Sequence, residues 1–342
     1  MNTGLTYADI LLVPKKTPLA SRKQAQISSR FTKNIPLNAP FISSNMVTVT
    51  EHEMAIAMAR HGGLGVIHQF SSIKERCDEV RKVKRSTAYI IDNPLAVHPS
   101  TTIKELKVIL NQIGISSALV FDNKLVGIIT HKDFQFANDS QTVESLMTPK
   151  HCLIVCNEVP SIEQAKQIMH EHKIEKLPII TDSVKLITAK DVRQHEEWTY
   201  ANRDEKGRLC VAAALGVKTA MDDAEQLINA GADVLVMDVA HAHSDTIINT
   251  VKQLKATYNI DIMVGNIATK QAAIDLIEAG ADGLKVGIGP SPVCTTRIMS
   301  GAGIPQFTAV QQVCEVAKAY GVPVTADGGM SSPGDAVKAI AA

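Results

Sequence analysis

Cys294 lies in the stretch Gly287-Ile-Gly-Pro-Ser-Pro-Val-Cys-Thr-Thr-Arg297, directly after an apolar run. A thiol flanked by hydroxyls and by Arg297 has donors and positive charge at hand to lower its pKa. The thiolate could then add to an electrophilic carbon. A buried cysteine beside a turn is the plain alternative; the Gly/Pro-rich loop after a strand-like run favours the nucleophile. A second motif is Asp327-Gly-Gly-Met-Ser-Ser-Pro-Gly-Asp335. Gly328 and Gly329 let backbone N–H groups approach a phosphate, a helix opens just after, and Asp327 could hold ribose hydroxyls. A simple left-handed turn explains Gly-Gly alone equally well. In Asp238-Val-Ala-His-Ala-His-Ser244, His241 and His243 invite a metal reading, but no acidic or cysteine cluster accompanies them. Gly265-Asn266 supplies another polar residue. Asp238, Asn266, Cys294 and Asp327 end four consecutive runs, the convergent arrangement of a small-molecule site.

The elements that must position them are short, nearly continuous apolar runs. They are PLNAPFISSN (36–45), GLGVIHQ (63–69), LCVAAALG (209–216), ADVLVMDV (232–239), DIMVGNIA (261–268), GLKVGIG (283–289) and VPVTADGG (322–329). Such runs read as strands covered on both faces. EHEMAIAMARHGG and SSIKERCDEVRKVKR read as helices after the first two. NAGAD (229–233) and EAGAD (278–282) close helices with Gly, and Asp opens the next strand. The alternation predicts a parallel barrel or a doubly wound sheet. Seven such strands are visible. A closed (β/α)8 barrel needs eight, which predicts an open sheet or a chain lacking its eighth βα unit.

Residues 92–195 carry an internal repeat of roughly 55 residues. Each copy reads as a lead-in strand, a capped helix, two strands and an acidic end, THKD then TAKD. Thr101 or Thr102, with Glu105, and Ser161, with Gln164, fit capping boxes. Two copies are too few for a solenoid, so a paired module inserted in a loop of the βα domain is the simpler reading.

The chain has 342 residues, roughly two domains' worth. Lys+Arg and Asp+Glu are both 35, so no broad field draws nucleic acid or anionic membrane, and an anionic ligand needs a local site. Hydrophobic residues at 45% and charged at 20% exclude wholesale disorder. Aromatics are only 4%, which points to an aliphatic core. No apolar run approaches the ~18 residues of a membrane span. MNTGLTYADI lacks a basic n-region and an h-region. Cys77, Cys152, Cys156, Cys210, Cys294 and Cys314 are scattered without a CxxC, as in a cytoplasmic protein with reduced thiols.

LTYADILLVP, the SSNM turn, MAIAMARHGGLGVIH, DEKGRL, VLVMDVAHAHS, VGNIAT, EAGADGLKVGIGP with VCTTR, GIPQFTAV and ADGG occur in this order. Together they resemble the IMP dehydrogenase/GMP reductase family across nearly all of the chain outside 92–195. The inserted segment resembles a pair of CBS domains, with T-x-x-D ends at Thr130/Asp133 and Thr188/Asp191. The resemblance implies a (β/α)8 TIM barrel from 1–91 and 196–342, its eighth strand unit missing, with regulatory CBS domains at 92–195. It implies a homotetramer, in some members an octamer, and chemistry at purine C2 of a 5′-monophosphate, GMP or IMP. Cys294 would add to C2 and Thr296 would assist proton transfer. Ser44, Met46, Asn266, Asp327, Gly328 and Gly329 would bind the nucleotide. Asp238, Ser244, Gly287 and Gly289 would face NADPH or NAD. K+ would sit near Gly287, Gly289 and Cys294. Adenine or guanine nucleotides would occupy the CBS pair.

The chain departs from the family at Val47, where a carboxylate is usual, at Ser291-Pro292 in place of Gly-Ser, and at Ala242 in place of Gly. Pro292 offers neither an N–H nor a hydroxyl to a phosphate. The CBS pair favours IMP dehydrogenase, oxidising IMP to XMP with NAD. The Ser-Ser-Pro-Gly-Asp turn and Val47 favour GMP reductase, converting GMP to IMP with NADPH, and the reductase is the narrow choice. A catalytically weak nucleotide sensor is the third reading.

Overall fold

The computed structural model describes residues 3–86 and 90–342. They divide into two compact units, Met1–Ser86 with Tyr200–Ala342, and Thr87–Thr199.

The first unit is built on one curled parallel sheet. Its strands, numbered here along the chain, are β1 (Ile42–Ser43), β2 (Leu64–Ile67), β3 (Val211–Leu215), β4 (Val234–Asp238), β5 (Asp261–Ile267), β6 (Gly283–Val286) and β7 (Val324–Ala326). They lie side by side in that order, every neighbouring pair parallel. The helices are α1 (His52–Arg60), α2 (Ile73–Arg85), α3 (Ala220–Ala230), α4 (Asp245–Thr257), α5 (Lys270–Glu278), α6 (Thr296–Ser300), α7 (Gln306–Ala317) and α8 (Pro333–Ala341). The apolar run at 36–45 does not form one strand. Pro36–Leu37 pairs antiparallel with Ser29–Arg30, and only Ile42–Ser43 joins the sheet. Pro40 between them has no N–H to give a ladder.

Alternation along the strands decides which side chains enter the sheet's concave side. Ala212, Ala214, Val234, Val236 and Met263 pack there with Leu64 and Val66, and Phe31 and Leu37 of the hairpin close the cluster. The hairpin covers the N-terminal ends of the strands: Thr32 Oγ1 donates to Asp261 Oδ2 at 2.6 Å, and the Lys33 N–H to Asp282 O at 3.0 Å. The opposite, C-terminal ends are therefore the ones left for a ligand. The Gly-Ala-Asp closures work as expected. Gly231 ends α3 with φ +106°, and Asp233 then accepts from Val211 N–H at 2.7 Å and from Lys84. Asp282 likewise accepts from Ile262 N–H at 2.9 Å and from Lys255.

The edge strands β1 and β7 face a common groove of about 470 Å³, lined by Ile42, Val324, Ala326, Val310 and Ile340 among others. No helix among the described residues is long and apolar enough to cross a membrane.

In the second unit, a helix (Ile103–Ile113) and a hairpin (Ser117–Asp122, Lys124–Thr130) are repeated as Ile162–His172 with Lys176–Ile180 and Val184–Thr188. Thr102 and Ser161 cap the two helices in full capping boxes. The lead-in strand is real in the first copy, where Ala96–Val97 pairs parallel with Leu119–Val120. In the second it shrinks to a single bridge, Cys156 to Ile179. Cys156 N–H donates to Pro178 O and Ile180 N–H to Cys156 O. The next rung would need an N–H from Pro178, which has none.

Candidate active site

Four strand ends and the loops after them converge. Asp238 closes β4, Gly265-Asn266 lies in β5, Lys285 in β6, and Asp327 follows β7. Asn266 Nδ2 donates to Asp327 Oδ2 and to Gly287 O, both at 2.7 Å. Lys285 Nζ lies 2.8 Å from Asp238 Oδ1 and 3.0 Å from Asp327 Oδ2. Asn45, buried in the turn after β1, donates to Asp238 Oδ2 at 2.6 Å. Burial works against the Lys285 charge, but Asp327 and Asp238 outweigh it and hold the ammonium above its ordinary range.

Cys294 is half-buried on the loop after β6. Hydrogen bonds from the Thr296 hydroxyl, then from the Thr296 N–H, hold its thiol below the ordinary value; the Gly289 N–H adds to this, while burial and Asp327 oppose it. Arg297, expected from the sequence to be the activating charge, is not among these causes. It is exposed, and its stem packs beside Gly289. Gly287 allows the loop to approach the strand end closely: a Cβ there would stand 2.1 Å from Asp327 O.

Gly328 and Gly329 both adopt left-handed φ, +80° and +77°. Their amides make no hydrogen bond to another described residue. The start of α8 differs from the expected anion site, because Asp335 Oδ2 already accepts from the Ser331 and Ser332 N–H groups, at 3.0 and 3.2 Å. These bonds hold the Asp335 carboxyl near pKa 2, so the carboxylate itself occupies the helix end.

Ser44 O accepts from Thr50 Oγ1 at 2.6 Å in the turn after β1; Met46 is exposed there, as is Val47. Ser244 Oγ caps α4 through Ile247 N–H at 3.4 Å. His243 Nε2 pairs with Asp275 Oδ2 at 2.7 Å. No group of three or more His, Cys, Asp or Glu suited to a metal exists among the described residues. In the second unit, Thr130 Oγ1 and N–H both bond Asp133 Oδ2, at 2.8 and 2.7 Å, and Thr188 Oγ1 bonds Asp191 Oδ2 at 2.5 Å.

Sequence reasoning passed over Lys285, Asn45 and Gln306. Gln306, 2% exposed, donates to Val286 O at 2.7 Å and to Asp327 O at 3.1 Å. The signal for Lys285 was present: it is a charge inside the otherwise apolar run GLKVGIG. Asn266 Oδ1 and Gln306 Oε1 are buried without a partner among the described residues. Together with the open Gly328 and Gly329 amides, they fit a ligand rich in hydroxyls and phosphate better than an apolar one.

A thiol of lowered pKa, paired carboxylates and open amides at the C-terminal ends of parallel strands define an α/β protein with an enzyme-type site. Residues 4–342 match the family described as IMP dehydrogenase / GMP reductase domain. The chain belongs to that family. It is 44% identical to inosine-5′-monophosphate dehydrogenase of Nitrosopumilus maritimus, over 99% of this chain and 72% of the relative. It is also 44% identical to GMP reductase of Leishmania major, with the same coverage of each. The crystal structure of GMP reductase from Trypanosoma brucei in complex with guanosine 5′-triphosphate superposes with a TM-score of 0.95 at 44% identity, covering 99% of this chain and 84% of that one.

Proposed function

We propose that the protein is an NAD(P)-dependent oxidoreductase acting at C2 of a purine 5′-monophosphate, and specifically a GMP reductase. The observation that carries the chemistry is Cys294, held toward its thiolate by Thr296 beside the Asp327–Asn266 pair. The thiolate adds to C2, the C2–amino bond breaks and ammonia leaves, and a C2–H bond forms as the sulfur departs. The net reaction is GMP + NADPH + 2 H+ to IMP + NADP+ + ammonium. A bound nicotinamide cofactor supplies or accepts the hydride at C2. Thr296, within hydrogen-bond reach of the sulfur, assists the proton transfer. Asp327 holds the substrate ribose, and Gly328 and Gly329 the phosphate. Ser44, Met46 and Asn266 contact the nucleotide. Asp238 faces the cofactor ribose, with Ser244, Gly287 and Gly289 on the same side.

IMP dehydrogenase is the second reading, favoured by relatives of that name at 44–46% identity. There the same thiolate adds to C2 of IMP, hydride leaves to NAD, and water releases XMP. Both readings place the sheet in a (β/α)8 barrel, with an eighth βα unit filling the groove between β1 and β7. Both treat 92–195 as a CBS pair taking adenine or guanine nucleotides near Thr130/Asp133 and Thr188/Asp191; the twofold repeat supports this. A K+ site near Gly287, Gly289 and Cys294 would draw on loop carbonyls, of which Gly287 O keeps one lone pair beyond its bond from Asn266. A cytoplasmic setting fits six free thiols. A homotetramer, or an octamer of paired tetramers, completes the proposal.

Purified protein assayed with GMP plus NADPH, and with IMP plus NAD, tests it. NADPH consumption with GMP and release of ammonia are expected. NADH formation from IMP alone would select the dehydrogenase. Silence in both assays with nucleotide binding retained would overturn both in favour of a sensor.

A further inference from the structure

We propose that Lys285 is a positioning residue that sets Asp238 and Asp327 in one fixed geometry, so that a single ammonium aligns the cofactor side of the site with the purine side. The inference rests on the assignment of those two carboxylates to the two ligands.

The strand register explains how one side chain reaches both. Asp238 pairs with Gly265, Gly265 with Lys285, and Lys285 with Thr325, forming one row across β4 to β7. Asp238 and Lys285 are thus two strands apart with a glycine between them. A Cβ on Gly265 would stand 2.4 Å from Lys285 Cβ and 2.6 Å from Lys285 O. Both atoms are close to the backbone and cannot swing aside. Gly265 therefore leaves the space in which Lys285 leans across β5 to Asp238.

The ammonium is used up where it stands. Its three N–H groups face Asp238 Oδ1 at 2.8 Å, Asp327 Oδ2 at 3.0 Å and Asn45 Oδ1 at 3.4 Å. It has no further donor for a ligand, so its action is on the carboxylates and not on the reacting atoms. Two carboxylates sharing one partly buried cation carry a net charge of −1. Without the cation they would repel, and one would turn away. The acceptors left for ligands follow from this arrangement. Asp327 Oδ2 receives both Lys285 and Asn266, while Oδ1 forms no hydrogen bond to another described residue. That oxygen keeps its full acceptor capacity for a ligand.

The test uses Lys285→Gln, Lys285→Met and Lys285→Arg in the full chain. KM for the purine nucleotide and for the nicotinamide cofactor, kcat and the melting temperature are measured for each. Calorimetric affinities for GMP, IMP, NADPH and NAD give the same comparison without turnover. A merely structural ion pair, once broken, lowers the folded fraction and leaves both KM values alone. A positioning role predicts that Lys285→Gln raises both KM values about tenfold or more, the scale of a lost charged hydrogen bond. Lys285→Arg keeps the charge and recovers part of both. Asp238→Asn and Asp327→Asn each raise mainly one KM. The proposal is overturned if Lys285→Gln raises only one KM, changes kcat alone, or fails to fold where Lys285→Arg folds. If the two aspartate variants leave both KM values unchanged, the assignment of the carboxylates fails, whatever Lys285 does.

Discussion

Asn266 Nδ2 reaches across β6 to donate to Asp327 Oδ2 at 2.7 Å, joining two strand ends that are not neighbours in the sheet. The same amide bonds Gly287 O, so one side chain steadies both the carboxylate and the start of the cysteine loop. Asn266→Ala should raise KM for the purine nucleotide about tenfold through loss of a bond to a charged acceptor. Steady-state kinetics check this, and an unchanged KM would show that Asp327 is held without Asn266.

The Cys294 thiol should be alkylated at lower pH than an ordinary cysteine. The attacking species is the thiolate, so a lowered pKa extends reactivity downward in pH, and the rate is half-maximal where pH equals that pKa. Thr296→Val removes the largest cause of the shift and should move the midpoint up. Cys210, pushed up to about 12 by burial, should stay unmodified below that range. Peptide mass spectrometry after timed iodoacetamide labelling reads each site.

Cys294→Ala should abolish turnover, because no other thiol lies on the loop after β6. Nucleotide binding should remain measurable, since Asp327, Gly328 and Gly329 are untouched. Wild-type rates in this variant would remove the covalent mechanism.

Arg76 and Asp223 join α2 to α3 at 2.8 Å, with side chains 6% and 8% exposed. Thr219 Oγ1 also donates to Asp223 Oδ2, at 2.6 Å. Asp223→Ala leaves Arg76 charged and buried without its counter-ion, a loss of about 3–5 kcal/mol. Arg76→Met combined with Asp223→Leu should recover much of this, because neither charge then needs solvation. Thermal melting of the single and double variants decides between the two.

The strands were legible because parallel strands buried on both faces must be apolar throughout. The four consecutive runs that lead to Asp238, Asn266, Cys294 and Asp327 mark a strand-end site without any coordinates. Cys294, Asn266 and Asp327 could be singled out by type and by position at strand ends. The break at Pro40 and the lost rung at Pro178 follow from a missing N–H, but which partner would have needed it emerges only from the ladder. Ser244 illustrates a role that spacing cannot assign. Its hydroxyl caps α4, a bond that leaves room for the cofactor-side role proposed above.

The sequence by itself determined the alternation of strand and helix, the internal repeat and the chemical types available at the strand ends. The periods of 2 and 3.6, the glycine caps and the family motifs are all local properties of the chain. The tertiary structure decided which of those groups meet. Register aligned Asp238, Gly265 and Lys285 in one row, and the empty side chain of Gly265 let Lys285 reach Asp238. For Cys294 it kept the flanking hydroxyl, Thr296, as the activating group, added the Gly289 amide and left Arg297 out. Electrostatic coupling depends on distances of a few ångströms between residues tens of positions apart, and only the packed sheet sets those distances.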